Sequence, residues 1–229
     1  MSKVRAVLWD MDGTLIDSEE FHWISWRDTM ANEGVPITRE QFLASFGQGD
    51  DSIIPRWLGA ASTPERVEKI SSAKEELYRD LIRRQGMKPL PGVRTWLHRL
   101  HEAGWLQAIA SAAPRPNIDV VLDALSAAHL FPSIVSADDV HRGKPDPEVY
   151  LIAASRLGAP PARSIVVEDA AVGVEGARRA GMRSIGVNRD GKHLPADIVV
   201  RSLELLDQNA FETLLNSSYS PQGVEEDWQ

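Results

Sequence analysis

Two aspartates one residue apart, Asp10 and Asp12, follow directly on a short apolar run from Ala6 to Trp9. Downstream, other reactive side chains stand at or after the ends of further apolar runs: Ser111 in Ala110-Ser111-Ala112, Lys144 in the loop Gly143-Lys144-Pro145-Asp146 after the third run, and the pair Glu168-Asp169. Three or four carboxylates in one cleft cannot all stay ionised without a cation. They are hard oxygen donors, so Mg²⁺ is the natural choice. Such a metal would neutralise a phosphate and keep Asp10 ionised. A carboxylate placed there can attack phosphorus and form an aspartyl-phosphate. Asp12 can give a proton to the leaving oxygen and then take one from water or a second hydroxyl. Lys144 supplies a point charge for phosphate and nucleophile. Ser111 and nearby backbone N–H groups can bind phosphoryl oxygens. Each residue also has a plain structural role: Asp-Gly as a strand exit, Ser111 or Asp169 as a helix cap, Lys144 as a solvated loop lysine. Their recurrence at successive strand ends favours chemistry.

The elements that must hold them follow from periodicity. Ala6–Trp9 is short and uninterrupted, as expected of a strand buried on both faces in a parallel sheet. Ligands of open α/β sheets bind beyond the carboxyl ends of strands, where Asp10 and Asp12 fall. Strands are predicted at Leu106–Ala110, Ser133–Ser136, Ser164–Glu168, Arg183–Val187 and Ile198–Val200. Helices are predicted near Val93–Glu102, Ile118–Ser126, from Asp146-Pro147-Glu148 to Gly158, at Val172–Ala180, and between Leu203 and Leu215. This alternation gives an α/β class: a doubly wound parallel sheet with helices on both faces. Residues 17–86 break the alternation. Asp17 or Ser18 can cap a first helix, Thr38 and Gln41 fit a capping box, Ile53–Leu58 suggests a third helix, and Thr63-Pro64-Glu65 starts a long one. Val67, Ile70, Leu77 and Leu81 mark the predicted buried face of that helix. The expected division is an α/β core of residues 1–16 and 87–215, an inserted all-helical block at 17–86, and a mobile acidic tail at 216–229.

Composition narrows the functions. The 229 residues carry a formal net charge of −8. An acidic chain is a poor partner for nucleic acid or an anionic membrane. No apolar run approaches the roughly 20 residues that span a bilayer. With no cysteine, thiolate metal sites, disulfides and cysteine nucleophiles are excluded. The N-terminus leads straight into a strand, with no signal-peptide pattern, and a cytoplasmic protein is expected. Gly143-Lys144 lacks a preceding glycine-rich loop and is no P-loop, and no Gly-x-Gly-x-x-Gly follows the first strand.

Asp10-Met11-Asp12-Gly13-Thr14, Ser111, Lys144 in Gly-Lys-Pro-Asp-Pro-Glu, and Glu168-Asp169 resemble the four motifs of the haloacid dehalogenase-like phosphohydrolases. The likeness runs from Val4 to about Val200 and points to the branch of β-phosphoglucomutase and small sugar-phosphate phosphatases. It implies a Rossmann-like core with a mobile helical cap hinged at Leu15–Ser18 and Gly86–Gly92. It implies Asp10 as nucleophile and metal ligand, Asp12 as acid/base binding metal through its carbonyl, Asp169 as a side-chain metal ligand, and Glu168 as its support. The second aspartate disfavours true dehalogenase activity. Substrate contacts are implied for His22, Trp26, Gly47, Lys74, Ala112 and Arg115. Where the branch often places an arginine for a second phosphate, this chain reads Gln48-Gly49-Asp50-Asp51. Losing that cation, with Arg56 or Arg115 as possible compensation, favours a phosphatase. The expected function is Mg²⁺-dependent hydrolysis of a small phosphomonoester, a sugar phosphate above all, by a monomer or weak homodimer. A phosphomutase, and a non-catalytic binding protein on the same fold, are the alternatives.

Overall fold

The structure is a computed structural model that describes residues 4–45, 48–189, 191 and 193–217. Its centre is β1 (Ala6–Trp9), all four residues of which are fully buried. On one side lie β2 (Leu106–Ala110) and then β3 (Ser133–Val135); on the other lie β4 (Ser164–Glu168), β5 (Arg183–Val187) and β6 (Ile198–Val200). Every pairing is parallel. The chain works outward from β1 to β3, then returns to the other side of β1 with β4. That reversal opens a crevice beyond the carboxyl end of β1. Trp9 is level with both Ile109 and Val167, so the residues that leave β1, β2 and β4 emerge at one edge.

Between β1 and β2 the chain forms α1 (Glu19–Asn32), α2 (Arg39–Ser45), α3 (Asp50–Leu58), α4 (Pro64–Gln85) and α5 (Val93–Glu102). After β2 come α6 (Arg115–Leu125), α7 (Glu148–Arg156), α8 (Ala171–Arg179) and α9 (Ala210–Asn216). Successive strand side chains point to opposite faces. Val7 and Trp9 therefore enter one core with residues of α5, α6 and α9, while Ala6 and Leu8 enter the other with residues of α7 and α8. The indole N–H of buried Trp9 donates to Gln107 Oε1 at 3.0 Å, and Gln107 Nε2 donates to the Leu97 carbonyl at 2.9 Å. Two buried polar groups on adjacent strands are satisfied in this way.

Residues of α1–α4 build a third core from Trp26, Met30, Ile37, Phe42, Ile53, Ile54, Leu58 and Ile70. Thr38 and Gln41 form the expected reciprocal box, and Thr63 Oγ1 accepts from Arg66 N with Pro64 behind it. The two connections to the sheet run side by side: Ile16 bridges to both Asp12 and Pro89, and Leu90 N donates to the Leu15 carbonyl. Among the described residues, no helix is long and apolar enough to cross a membrane.

Three local expectations need correcting. The buried stripe of α4 is Ile70, Lys74, Tyr78 and Ile82, one turn apart each time. Val67, Leu77 and Leu81 are only partly buried. Apolarity finds Ile70, and Val67 packs against the third core, but it misses Lys74 and Tyr78 because the inward face of α4 turns polar where it approaches Asp12. The third strand ends at Val135, since Ser136 breaks away to cap the next turn, its hydroxyl accepting from Asp138 N. The last helix divides into a turn at Leu203–Leu205 and α9, because the Asp207 carboxylate takes the Asn209 N–H and breaks the ladder. Residues 218–229 of the acidic tail, and Phe46-Gly47, lie outside the described residues.

Candidate active site

Asp10 follows β1, and its N–H continues the ladder to the Val167 carbonyl at 3.0 Å. Its carboxylate is buried and accepts from Lys144 Nζ at 2.6 Å. The same ammonium donates to Glu168 Oε1, also at 2.6 Å. Glu168, the last residue of β4, is buried with every oxygen engaged. Oε1 also takes the Tyr150 hydroxyl at 3.1 Å, and Oε2 takes the Ala170 N–H at 2.8 Å. Carboxylate oxygens of Asp10, Glu168 and Asp169 all lie within 4.8 Å of one another. Serving three carboxylates with one lysine leaves negative charge in excess. Burial first, then the charges of Glu168 and Asp169, push the Asp10 carboxyl well above the ordinary carboxylate range against the pull of Lys144. Burial and Glu168 push Asp169 up to about 7. Burial would lower Lys144, but Asp10 and Glu168 carry it well above the usual ammonium value.

Two glycines make this packing possible. Gly13 has φ +81°, and a Cβ there would stand 2.0 Å from Asp169 Oδ2. Any side chain at this turn would both strain the backbone and evict the carboxylate. A Cβ on Gly173, in the first turn of α8, would stand 1.8 Å from Glu168 Oε1. A glycine inside a helix weakens it, so its presence signals close approach. That signal, in Ala171-Val172-Gly173-Val174, was available in the sequence. Tyr150 carried a weaker one, as an aromatic with a polar tip on a buried helix face.

Asp12 faces the helical block. His22 Nε2 stands 3.7 Å from Asp12 Oδ1, an ion-pair separation, and the imidazole stacks on Tyr78 at 4.3 Å between ring centroids. Asp12 Oδ1, Ser18 Oγ and Tyr78 Oη are buried without a hydrogen bond. Burial raises the Asp12 carboxyl, but the approach of His22 and Ser18 and the charge of Lys74 outweigh it and hold it below the ordinary range. Lys74, 4% exposed, lies 5.0 Å from the Trp26 ring centroid and 5.8 Å from that of Tyr78. Its ammonium donates to Glu75 Oε1 at 2.7 Å. Burial acts to raise Glu75, yet Lys74 and a hydrogen bond from Asn117 hold it below its usual value.

The structure thus brings Asp10, Lys144, Glu168 and Asp169 together, and His22 and Lys74 close to Asp12. Ser111, buried at the end of β2, accepts from the Ala113 N–H at 3.1 Å, so Ala112 lies within that turn. Trp26 packs in the core of the helical block, edge-on to Trp57 at 5.0 Å between ring centroids. Arg115 opens α6 and donates to Asp119 at 2.8 Å. Arg56 donates to Gln48 Oε1 at 3.0 Å.

A family profile described as haloacid dehalogenase-like hydrolase matches residues 7–187. The chain belongs to this family. Among relatives of this haloacid dehalogenase-like hydrolase, validoxylamine A 7'-phosphate phosphatase of Streptomyces hygroscopicus subsp. limoneus is 30% identical over 87% of this chain and 94% of its own. Beta-phosphoglucomutase of Bacillus subtilis is 30% identical over 89% and 94%. The crystal structure of CbbY from Rhodobacter sphaeroides in complex with phosphate superposes with TM-score 0.81 and 28% identity, over 91% of this chain and 99% of that one. A phosphatase and a mutase stand at equal identity, so identity does not choose between their reactions. Like these relatives, this hydrolase is a phosphatase or phosphomutase by family.

The donor set of the hydrolase suits a hard divalent cation: carboxylate oxygens alone, clustered, with Asp10 and Asp169 raised by burial and by neighbouring carboxylates. Mg²⁺ is expected to raise the melting temperature, and by more at about pH 8 than at about pH 5. Burial and Glu168 push the Asp169 carboxyl up to about 7 in the folded state, against 3.8 for an ordinary aspartate. The metal-free native state therefore keeps a proton that the unfolded chain gives up, and its stability falls as pH rises from about 4 through about 7. A cation displaces that proton and removes the penalty. Thermal shifts with Mg²⁺ and with chelator at both pH values check this, and a gain independent of pH would exclude the cluster as the metal site.

Proposed function

We propose that this protein hydrolyses small, neutral sugar or polyol monophosphates through a phosphoryl group carried on Asp10. Residues 17–86 act as its cap, and Asp10, Asp169 and the Asp12 carbonyl hold Mg²⁺. When bound, the metal supplies positive charge for the phosphoryl oxygens. In the first half-reaction an Asp10 oxygen bonds to phosphorus, the ester P–O bond breaks, and Asp12 gives its proton to the departing oxygen. In the second, Asp12 takes a proton from water, whose oxygen displaces Asp10 and releases phosphate. The ionised state of Asp12 suits this second step, and the negative charge of a bound phosphoryl group shifts it toward the protonated form that the first requires. Its Oδ1 makes no hydrogen bond, with His22 Nε2 3.7 Å away, and is an acceptor for either proton. Lys144 keeps the attacking carboxylate oriented, and Glu168, saturated by Lys144, Tyr150 and the Ala170 N–H, keeps Lys144 charged. Ser111 and its turn bind phosphoryl oxygens.

One observation carries hydrolysis over mutase chemistry: the cap lysine is already neutralised. Lys74 is paired with Glu75, and neither Arg56 nor Arg115 is directed elsewhere than to its own neighbour. Asp50, at the start of α3, adds negative charge and accepts from Ser71 at 2.5 Å. A mutase must hold a bisphosphate while it turns over, and these groups offer a second phosphate little. The His22 imidazole beside Asp12 suits a hydroxyl instead.

The test is phosphate release from a panel of phosphomonoesters, with Mg²⁺ and with chelator. Glucose 6-phosphate is followed in the tubes that contain β-glucose 1-phosphate primed with glucose 1,6-bisphosphate. Metal-dependent phosphate release, fastest with monophosphates, is expected. Glucose 6-phosphate without phosphate release would make the protein a mutase, and silence on the whole panel would favour a binding protein.

A further inference from the structure

Asn117 belongs to α6, the helix that follows Ser111, and is 1% exposed. Both ends of its amide are taken by α4. Nδ2 donates to Glu75 Oε2 at 2.5 Å, and Oδ1 accepts from Arg79 Nη1 at 3.0 Å. Glu75 and Arg79 stand one turn apart on a single face, so an acceptor and a donor are offered together to one planar group. The other oxygen of Glu75 takes the Lys74 ammonium. Two charge-assisted hydrogen bonds thus tie α6 to α4, Asn117 to Glu75 and Arg79 to Asn117, and a third, within α4, joins Glu75 to Lys74 beside Asp12. Such bonds are stronger than neutral ones, and the two that cross to α6 are lost if α4 lifts away.

We propose that Asn117 is the clasp that holds the helical block closed over the carboxylates, and that Glu75 is a positioning residue that fixes Lys74 through it. This rests on the reading of residues 17–86 as a cap that opens at residues 15–18 and 86–92. An amide is the group required: a carboxylate at 117 would repel Glu75, and an apolar side chain would take the partner from Glu75 Oε2 and from Arg79 Nη1. When the clasp opens, Lys74 and Glu75 leave the site together as an ion pair.

Asn117→Asp tests the clasp by preserving shape while reversing one hydrogen bond into repulsion. Amide hydrogen exchange of the substrate-free protein is expected to quicken about tenfold or more in α4 and at residues 15–18 and 86–92, with β1 and β4 unchanged. With p-nitrophenyl phosphate, KM is expected to rise by a similar factor while kcat stays within about twofold, because only the closed population has fallen. Glu75→Gln combined with Asn117→Asp restores an amide opposite a carboxylate with donor and acceptor exchanged, and recovery of both readouts is expected. Loss of a merely structural contact in α6 would not be repaired from the cap. Arg79→Met, which leaves α6 untouched, is expected to move exchange in the same direction. Unchanged exchange in Asn117→Asp, or no recovery in the double variant, overturns the clasp. Protection at residues 15–18 and 86–92 of wild-type protein equal to that of β1 would overturn the cap itself, and the clasp with it.

Discussion

Asp10→Asn is expected to lower turnover by about 10⁴-fold or more while leaving the fold intact. The amide is the same size, and its oxygen can still accept from Lys144, so the packing beyond β1 is kept. What disappears is the nucleophile. The variant should form no phosphoryl adduct detectable by intact-mass measurement after acid quenching, whereas wild-type protein quenched during turnover should. Its stability should move against its activity. The substitution removes one of three crowded carboxylates, so the metal-free variant is expected to melt at or above the wild-type temperature, with a smaller gain from Mg²⁺. Full phosphate release by the variant would end the covalent mechanism.

Lys144→Met is expected to be the most damaging single change to stability. The ammonium is buried, 9% exposed, between Asp10 and Glu168 at 2.6 Å from each. Removing it leaves two carboxylates without their counter-charge, and breaking a buried pair in this way costs about 3–5 kcal/mol. The sign with pH is definite. Without the lysine's pull, burial and the neighbouring carboxylates raise the Asp10 carboxyl further in the folded state, so the variant is weakest at high pH and recovers as pH falls toward the unfolded carboxyl value. Glu168→Gln in the same chain should return part of the lost stability, since one of the stranded charges is gone, but no turnover. Chemical denaturation of the three proteins at about pH 5 and about pH 8 checks both statements. A Lys144→Met protein as stable as wild type at the higher pH would mean that the lysine is not the partner of these carboxylates.

Much of this architecture was legible in the chain. Ala6–Trp9 had to be a buried strand, because four uninterrupted apolar residues fit no amphipathic surface, and the same holds for Ile165–Val167. Asp10, Glu168 and Asp169 end or follow such runs, and parallel strands in register deliver their exits to one edge, while Lys144 comes from the loop after β3. Contacts made across the chain were not legible. Nothing in the spacing of Lys74 and Tyr78 says that α4 buries its polar face, since periodicity records apolarity and this face is chosen by what it covers. Asn117 reads as a routine first-turn residue until α4 is laid against α6. Tyr150 becomes informative only once its hydroxyl is seen to reach Glu168. Arg115 shows the converse: its position after Ser111 suggested the site, and an aspartate one turn along α6 claims it.

The paired connections at Ile16 and Pro89 also bear on how the chain assembles. β1 pairs with β2 across the entire helical block, a closure whose entropic cost grows with the length of slack chain between the strands. If α1–α4 first settle around Trp26, Phe42 and Ile54, the slack shrinks to the few residues on either side of the block. Each halving of a loop saves roughly 0.6 kcal/mol, so three halvings are worth about 2 kcal/mol at the moment the sheet nucleates. A helical block with its own apolar centre would then act as a preassembled staple, and cavities cut into it should slow formation of a sheet that they never touch.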